Sequence, residues 1–254
     1  MWKRIQVQKR LPQLHRPILI EGLPGIGNVG KVAVDFLIEQ LDAKLMYRLH
    51  SNSFPHSVFV NDENLVEMPT MEIYYRQRKN KPDLLFLAGD IQPIDERSTY
   101  EFCAFLLDFC KELEVQEIIT IGGIGLPQAP EKPKIYCAGN RKEIMQRYRK
   151  GTRLQEKLHG IVGPIIGVTG LLTGLAGERN IPAICLLAET QGHPLYLGVK
   201  GSQEILKVLE KNLGLKLNLR ALDREIAEVE AELIENQHPV SRPPLGPRET
   251  SYIG

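Results

Sequence analysis

Along the chain, apolar residues alternate between short unbroken runs and helical spacing. Ile18, Leu19 and Ile20 form one such run. A glycine turn follows, then Val29, Val32, Ala33, Phe36, Leu37 and Leu41 recur at the three- and four-residue steps of a helix face. Residues 44–50 read as a strand. Residues 57–60 and 71–76 read as two more, joined about a turn at Asn61, Asp62, Glu63 and Asn64, so a hairpin is expected there. Residues 83–88 are a continuous apolar strand of the kind covered on both faces in a parallel sheet. Residues 98–113 fit a helix capped by Ser98, with Phe102, Phe105, Leu106, Phe109 and Leu113 turned inward. A strand over 117–121 is expected to close at Gly122, Gly123, Ile124 and Gly125. After a loop marked by Pro127, Pro130 and Pro133 come a short strand at 135–138 and a basic helix capped by Asn140 and running to Arg149. Residues 160–173, rich in glycine and apolar side chains, lead into a helix at 171–179. A strand at 183–187 ends at Ala188, Glu189 and Thr190, and helices follow at 202–212 and 219–236. Strands that alternate with helices in this way imply an α/β fold: a mainly parallel sheet with helices on both faces, plus added antiparallel strands near residues 57–76. The domain organisation expected is an α/β unit over 1–213, a C-terminal helix over 214–237 and a flexible, proline-rich tail over 238–254.

Composition narrows the classes of function. The 254 residues suit one large domain with a small appendage, and 43% hydrophobic with 25% charged residues is ordinary for a folded soluble chain. A net charge of +1 supplies no global field for nucleic acid or an acidic membrane. The start, MWKRIQVQKR, lacks the apolar core of a signal peptide, and no run of about 18 apolar residues offers a membrane span, so a cytoplasmic protein is expected. The four cysteines, Cys103, Cys110, Cys137 and Cys185, contain no C-x-x-C pair and read as buried, reduced thiols.

Candidate chemistry concentrates at strand ends. The turn after the first apolar run carries Gly22, Gly25, Gly27 and Gly30, and Gly25 to Gly30 spells G-x-G-x-x-G. A dinucleotide site also needs a carboxylate about twenty residues on to hold the ribose, but the second strand ends Leu49, His50, Ser51. Pro24 removes a backbone donor. Lys31 is followed by Val32 rather than a hydroxyl residue, so a phosphate loop does not fit either. The loop is then a tight strand-to-helix corner or a surface for a protein or a small anion, and no cofactor is expected. The six histidines form no H-x-x-x-H or H-E-x-x-H pair, and no metal site is expected. Glu189 beside His193, together with Asp90 and Asp95 after another strand, could form an acid–base pocket or be polar loop residues. No G-x-S-x-G elbow is present. The basic region Lys132, Lys134, Arg141, Lys142, Arg147, Arg149, Lys150, Arg153 and Lys157 has few stacking aromatics; it reads as a solvated face able to steer an acidic partner, not as a nucleic-acid site. In the last helix Leu219, Leu222, Ile226, Val229 and Leu233 step by heptad intervals, which suits packing on its own sheet or self-association.

Taken together, residues 18–34 (ILIEGLPGIGNVGKVAV), Gly122 with Gly123, residues 167–177 (GVTGLLTGLAG) and residues 182–194 (PAICLLAETQGHP) resemble the archaeal branch of the proteasome assembly chaperone family, the relatives of assembly chaperone 2. The likeness runs over residues 17–213. It implies a fold like that of the nucleoside phosphorylases, no catalysis, self-association into a homo-oligomer, and the α subunits of the proteasome core particle as partner. It also implies a C-terminal hydrophobic–Tyr–any-residue motif that docks between those subunits. This chain ends Ser251, Tyr252, Ile253, Gly254, so the tyrosine is third from last and follows a serine: a shifted form of the motif. Tyr252, Ile253 and Gly254 are the partner-binding candidates by this likeness. A terminal ring plus carboxylate on a proline-rich tether suits insertion into an apolar slot beside a lysine. The other reading, a nucleoside phosphorylase-like or other small-molecule enzyme, requires Glu189, His193 and Asp90 to converge on the glycine loop.

Overall fold

The computed structural model describes residues 2–160, 163–193, 196–220 and 222. The chain divides into two units, Met1–Asn218 and Leu219–Gly254. Ile226, Val229 and Leu233 of the heptad seam and the tail residues Tyr252, Ile253 and Gly254 lie outside the described residues, which reach only Leu219 and Leu222 of that seam.

The first unit is built on a nine-stranded sheet. In chain order its elements are β1 (Lys3–Gln6), β2 (Ile18–Glu21), α1 (Val29–Gln40), β3 (Lys44–His50), β4 (Phe59–Val60), β5 (Val66–Glu67), β6 (Met71–Arg76), β7 (Leu84–Gly89), α2 (Glu96–Glu112), β8 (Glu117–Leu126), β9 (Ile135–Gly139), α3 (Lys142–Arg149), β10 (Leu154–Gln155), α4 (Val168–Glu178), β11 (Ala183–Gln191) and α5 (Val199–Leu213). The strand order is β1-β3-β6-β7-β2-β8-β11-β9-β10, with β4 and β5 forming a separate two-stranded ribbon. β7, β2, β8 and β11 run parallel at the centre. Antiparallel pairings flank them on both sides: β7 with β6, β6 with β3 and β3 with β1 on one, β11 with β9 on the other. This is the α/β architecture that the alternating pattern implies.

The central strands carry apolar side chains on both faces because helices cover both. Every residue of β2 and β7 is buried. α2 and α4 pack together over one face, where Phe102, Leu106, Phe109, Val168 and Leu172 join Leu19, Leu85 and Leu87 in one cluster. Neighbouring residues of β11 show that α5 covers the other face. A Cβ on Gly122 would meet Leu187 and one on Gly201 of α5 would meet Ala188, and adjacent strand residues point to opposite faces. α1 and α3 lie beside α5. The four cysteines are buried and free, and burial pushes the Cys103 and Cys185 thiols up to about 12.

Several local expectations are corrected. α2 begins earlier than residue 98, and its cap is Asp95, whose carboxylate accepts the Ser98 N–H at 2.7 Å. Asn140 does not cap α3. Its side-chain amide donates to the Ile181 carbonyl at 2.9 Å and accepts the Ala183 N–H at 2.9 Å, tying β9 to the entry of β11. Of residues 57–60 only Phe59 and Val60 form a strand, and they pair with β5, not with residues 71–76; β6 belongs to the main sheet between β3 and β7. β8 does not stop at Ile121. It continues through Gly122, Gly123 and Gly125 to Leu126, paired throughout with β11, which itself runs on to Gln191. β1 was not expected: its sequence, KRIQ, is nearly all exposed, and Trp2 anchors it through ring contacts with Phe54 and Phe102. Among the described residues no helix is long and apolar enough to cross a membrane.

Candidate functional site

The C-terminal ends of β2, β7, β8 and β11 lie at one end of the sheet, the usual ligand-binding end of an open α/β sheet. The glycine turn crosses this end. Three of its four glycines are demanded by packing. A Cβ on Gly22 would lie 2.2 Å from the Gly30 carbonyl oxygen, and one on Gly30 would lie 2.5 Å from the Ile121 carbonyl oxygen. Gly27 has φ of 59°, and a Cβ there would strike the Thr190 hydroxyl at 2.4 Å. The turn is therefore a tight corner, pressed onto β8 and β11. Gly25 differs: a Cβ there would meet only the Gln92 amide, at 3.9 Å.

Beneath the turn sits a group the sequence reading passed over. Glu21, the last residue of β2, is fully buried. Its carboxylate accepts the Leu23 N–H at 3.0 Å and the Thr169 hydroxyl at 3.2 Å. Burial is the main influence on it and raises its pKa to about 7, against smaller opposing effects of hydrogen bonds from Leu23, Thr169 and the Ile121 backbone. Thr169 belongs to a buried hydroxyl chain. Thr120 donates to the Thr169 carbonyl at 2.9 Å and lies 2.9 Å from the Thr173 hydroxyl. The available signal was a single carboxylate ending an otherwise apolar strand, immediately before a glycine.

A cleft of about 630 Å³ opens beside these residues. Gly25 and Ile26 of the turn, Gly122 to Gly125 of β8, and Ile165, Ile166, Gly167 and Thr169 at the start of α4 form its walls. Gln92 spans its mouth: its amide donates to the Pro24 carbonyl, and its oxygen accepts the Val168 N–H at 3.0 Å. The polar side chains on the wall, Gln92 and Thr169, are thus bonded to the protein itself, and what the cleft presents is mainly apolar surface and glycine backbone.

The carboxylates singled out from the sequence do not meet there. Asp90 accepts both the N–H and the hydroxyl of Thr70 (3.0 and 2.6 Å) and pairs with Lys31 at 3.4 Å. Burial opposes its charge, but the Thr70 bonds and Lys31 outweigh it and hold the carboxyl below the usual range. Asp95 is the α2 cap. Glu189 accepts the Lys134 N–H at 3.0 Å and the Tyr136 hydroxyl at 3.1 Å, joining β11 to β9. Neither Asp90, Glu189 nor His193 lines the cleft. In the basic region, Arg147 pairs with the buried Glu117 and Arg149 donates to the Glu156 carbonyl, so part of that charge is structural.

The model of the PAC2 family matches residues 19–237. The chain belongs to the PAC2 family. The glycine corner, the β8 glycines and the α4 entry that wall the cleft all fall inside the matched span. Among solved structures, the PAC2 chain is similar to Pyrococcus furiosus PbaB, an archaeal proteasome activator: 31% identity, 92% of this chain and 98% of that one, TM-score 0.84. It shares its fold with Pyrococcus furiosus PbaA, an archaeal homologue of proteasome-assembly chaperone, at 22% identity, 92% and 91% coverage and TM-score 0.74. An uncharacterised protein of Methanocaldococcus jannaschii is 28% identical over 227 residues, 87% of this chain and 83% of that one. The resemblance to archaeal proteasome assembly chaperone homologues read from the four sequence stretches is therefore correct.

Proposed function

We propose that this PAC2 protein is a non-enzymatic, cytoplasmic proteasome-binding chaperone or activator that engages the α subunits of the core particle as a homo-oligomer, through its C-terminal residues Tyr252, Ile253 and Gly254. The observation that carries the reading is the near full-length likeness to PbaB, at 31% identity and TM-score 0.84. The cleft chemistry supports it. Phosphorolysis or acid–base catalysis needs charged groups aimed at a substrate, whereas Asp90 and Glu189 are committed to structural hydrogen bonds elsewhere. The heptad positions Leu219, Ile226, Val229 and Leu233 are proposed as one self-association element, Leu222 of the same seam being already buried in the single chain, and the tail as a tether whose terminal ring and carboxylate enter a slot on the partner.

The test is capture of purified core particle by the full-length chain and by a chain lacking residues 251–254. The shortened chain is expected to keep its melting temperature and lose capture. Equal capture by both would remove the tail from the mechanism, and no capture by either would remove the proteasome.

A further inference from the structure

The β4–β5 ribbon carries a concentration of exposed apolar side chains. Phe59 pairs with Glu67 and Val60 with Val66, so Val60 and Val66 share one face of the ribbon, and the same alternation puts Val58 and Met68 beside them. On that face Val60 is 65%, Val66 70% and Met68 66% exposed. Two strands of two residues cannot cover such a face themselves, and an isolated ribbon of this size gains little from pairing alone. Its turn is nonetheless firmly built. The Asn61 side chain accepts the N–H groups of Glu63 and Leu65, both at 3.0 Å, and donates to Glu67 at 2.7 Å. The ribbon thus holds an apolar face ready for contact, so ordering costs little when a partner covers it. Its rim is acidic: Asp62, Glu63 and Glu67, with no lysine or arginine between residues 57 and 70.

One edge of the nine-stranded sheet offers the complement. At β9 and β10 a cleft of about 370 Å³ has Ile135 and Val208 on its wall and Arg153, Lys207 and Lys211 around it. Glu204 also lines it, paired with Lys207 at 2.5 Å, which leaves the site net positive. Lys150, adjacent in sequence to Gly151 of the lining, is exposed and adds positive charge.

We propose that the ribbon of one copy docks its Val58–Val60–Val66–Met68 face into this basic cleft of a second copy. Charge selects the pairing. Two ribbons face to face would gather six carboxylates, while ribbon against cleft sets acids against lysine and arginine. Because the two surfaces are different patches of the chain, the contact is heterologous, and its repetition builds a ring where the rotation between neighbours closes. The inference rests on the reading that the chain self-associates and names a surface separate from the heptad seam.

Three full-length variants test it by native mass spectrometry and sedimentation: Asp62→Lys with Glu63→Lys, Arg153→Glu with Lys207→Glu, and all four changes in one chain. The wild type is expected as a multiple of 28.7 kDa. Each two-site variant falls to a smaller multiple of the chain mass at low micromolar concentration, and the four-site chain returns to the wild-type mass. A fourth variant, Val60→Ser with Val66→Ser, alters only exposed side chains and is expected to fall to the same smaller mass as the two-site variants without a lower melting temperature; it gives the answer if a charge-reversed chain misfolds. A wild type at 28.7 kDa, two-site and serine variants that keep the oligomer mass, or a four-site chain that stays dissociated each overturns the pairing. Core-particle capture is scored separately: a wild type that keeps its oligomer mass but captures no core particle counts against the proteasome reading, not against this contact.

Discussion

Glu21 is the residue where physical chemistry makes the firmest demand. An exposed glutamate gives up its proton near 4.5, but the folded chain holds the proton to about 7. Between those values the native state binds more protons than the unfolded chain, so stability falls as pH rises from about 4.5 to about 7 and levels off above that. A shift of this size corresponds to roughly 3 kcal/mol at pH 8. Glu21→Gln keeps an oxygen for the Leu23 N–H and removes the titration. Urea unfolding is expected to show the variant gaining up to about 3 kcal/mol on the wild type at pH 8 compared with its standing at pH 4. A difference between the two chains that stays constant across that range would mean Glu21 ionises at its ordinary pH.

At the scale of elements, the β2–α1 corner distinguishes glycines that pack from glycines that line. Gly22→Ala drives a methyl into the backbone oxygen of Gly30, and neither element can retreat without opening the sheet. Gly25→Ala meets nothing closer than 3.9 Å. Thermal melts are expected to place Gly22→Ala at least about 2 kcal/mol below wild type and Gly25→Ala within about 0.5 kcal/mol; equal losses would show that the corner tolerates a methyl. The corner itself was legible because strand, glycines and amphipathic helix follow in sequence, and so were β7 and α2, whose apolar patterns are unbroken. β8 was cut short because glycine ordinarily ends a strand. Here the small residues are needed where Gly123 passes the Ile26 backbone, a contact between segments about a hundred residues apart. β1 was invisible because an exposed edge strand has no apolar run to show. The Asp95 cap was missed in favour of a serine three positions on, a boundary only the backbone geometry decides. Glu21 was unreadable as a buried group because its hydroxyl partner Thr169 lies 148 residues further along the chain.

At the scale of the whole molecule, the roles proposed for the tail and the β4–β5 ribbon are two tasks that one binding measurement would merge. Each tail is expected to bind weakly alone, since ordering a tether costs free energy at every engagement. A ring that presents several tails to a ring of α subunits makes every engagement after the first intramolecular, which strengthens binding by ~100-fold or more if the spans match. The two kinds of variant therefore fail differently. The Asp62→Lys, Glu63→Lys chain keeps its tail and loses its neighbours. On immobilised core particle it is expected to bind about 100-fold more weakly than wild type, with the loss in the dissociation rate. The chain without residues 251–254 keeps the wild-type mass and shows no measurable binding at the same concentrations. Restoring the contact with Arg153→Glu and Lys207→Glu is expected to recover the slow dissociation with no change to the tail. If the dissociated variant instead binds as tightly as the wild type, one tail suffices for the interaction, and the ring serves some purpose other than avidity.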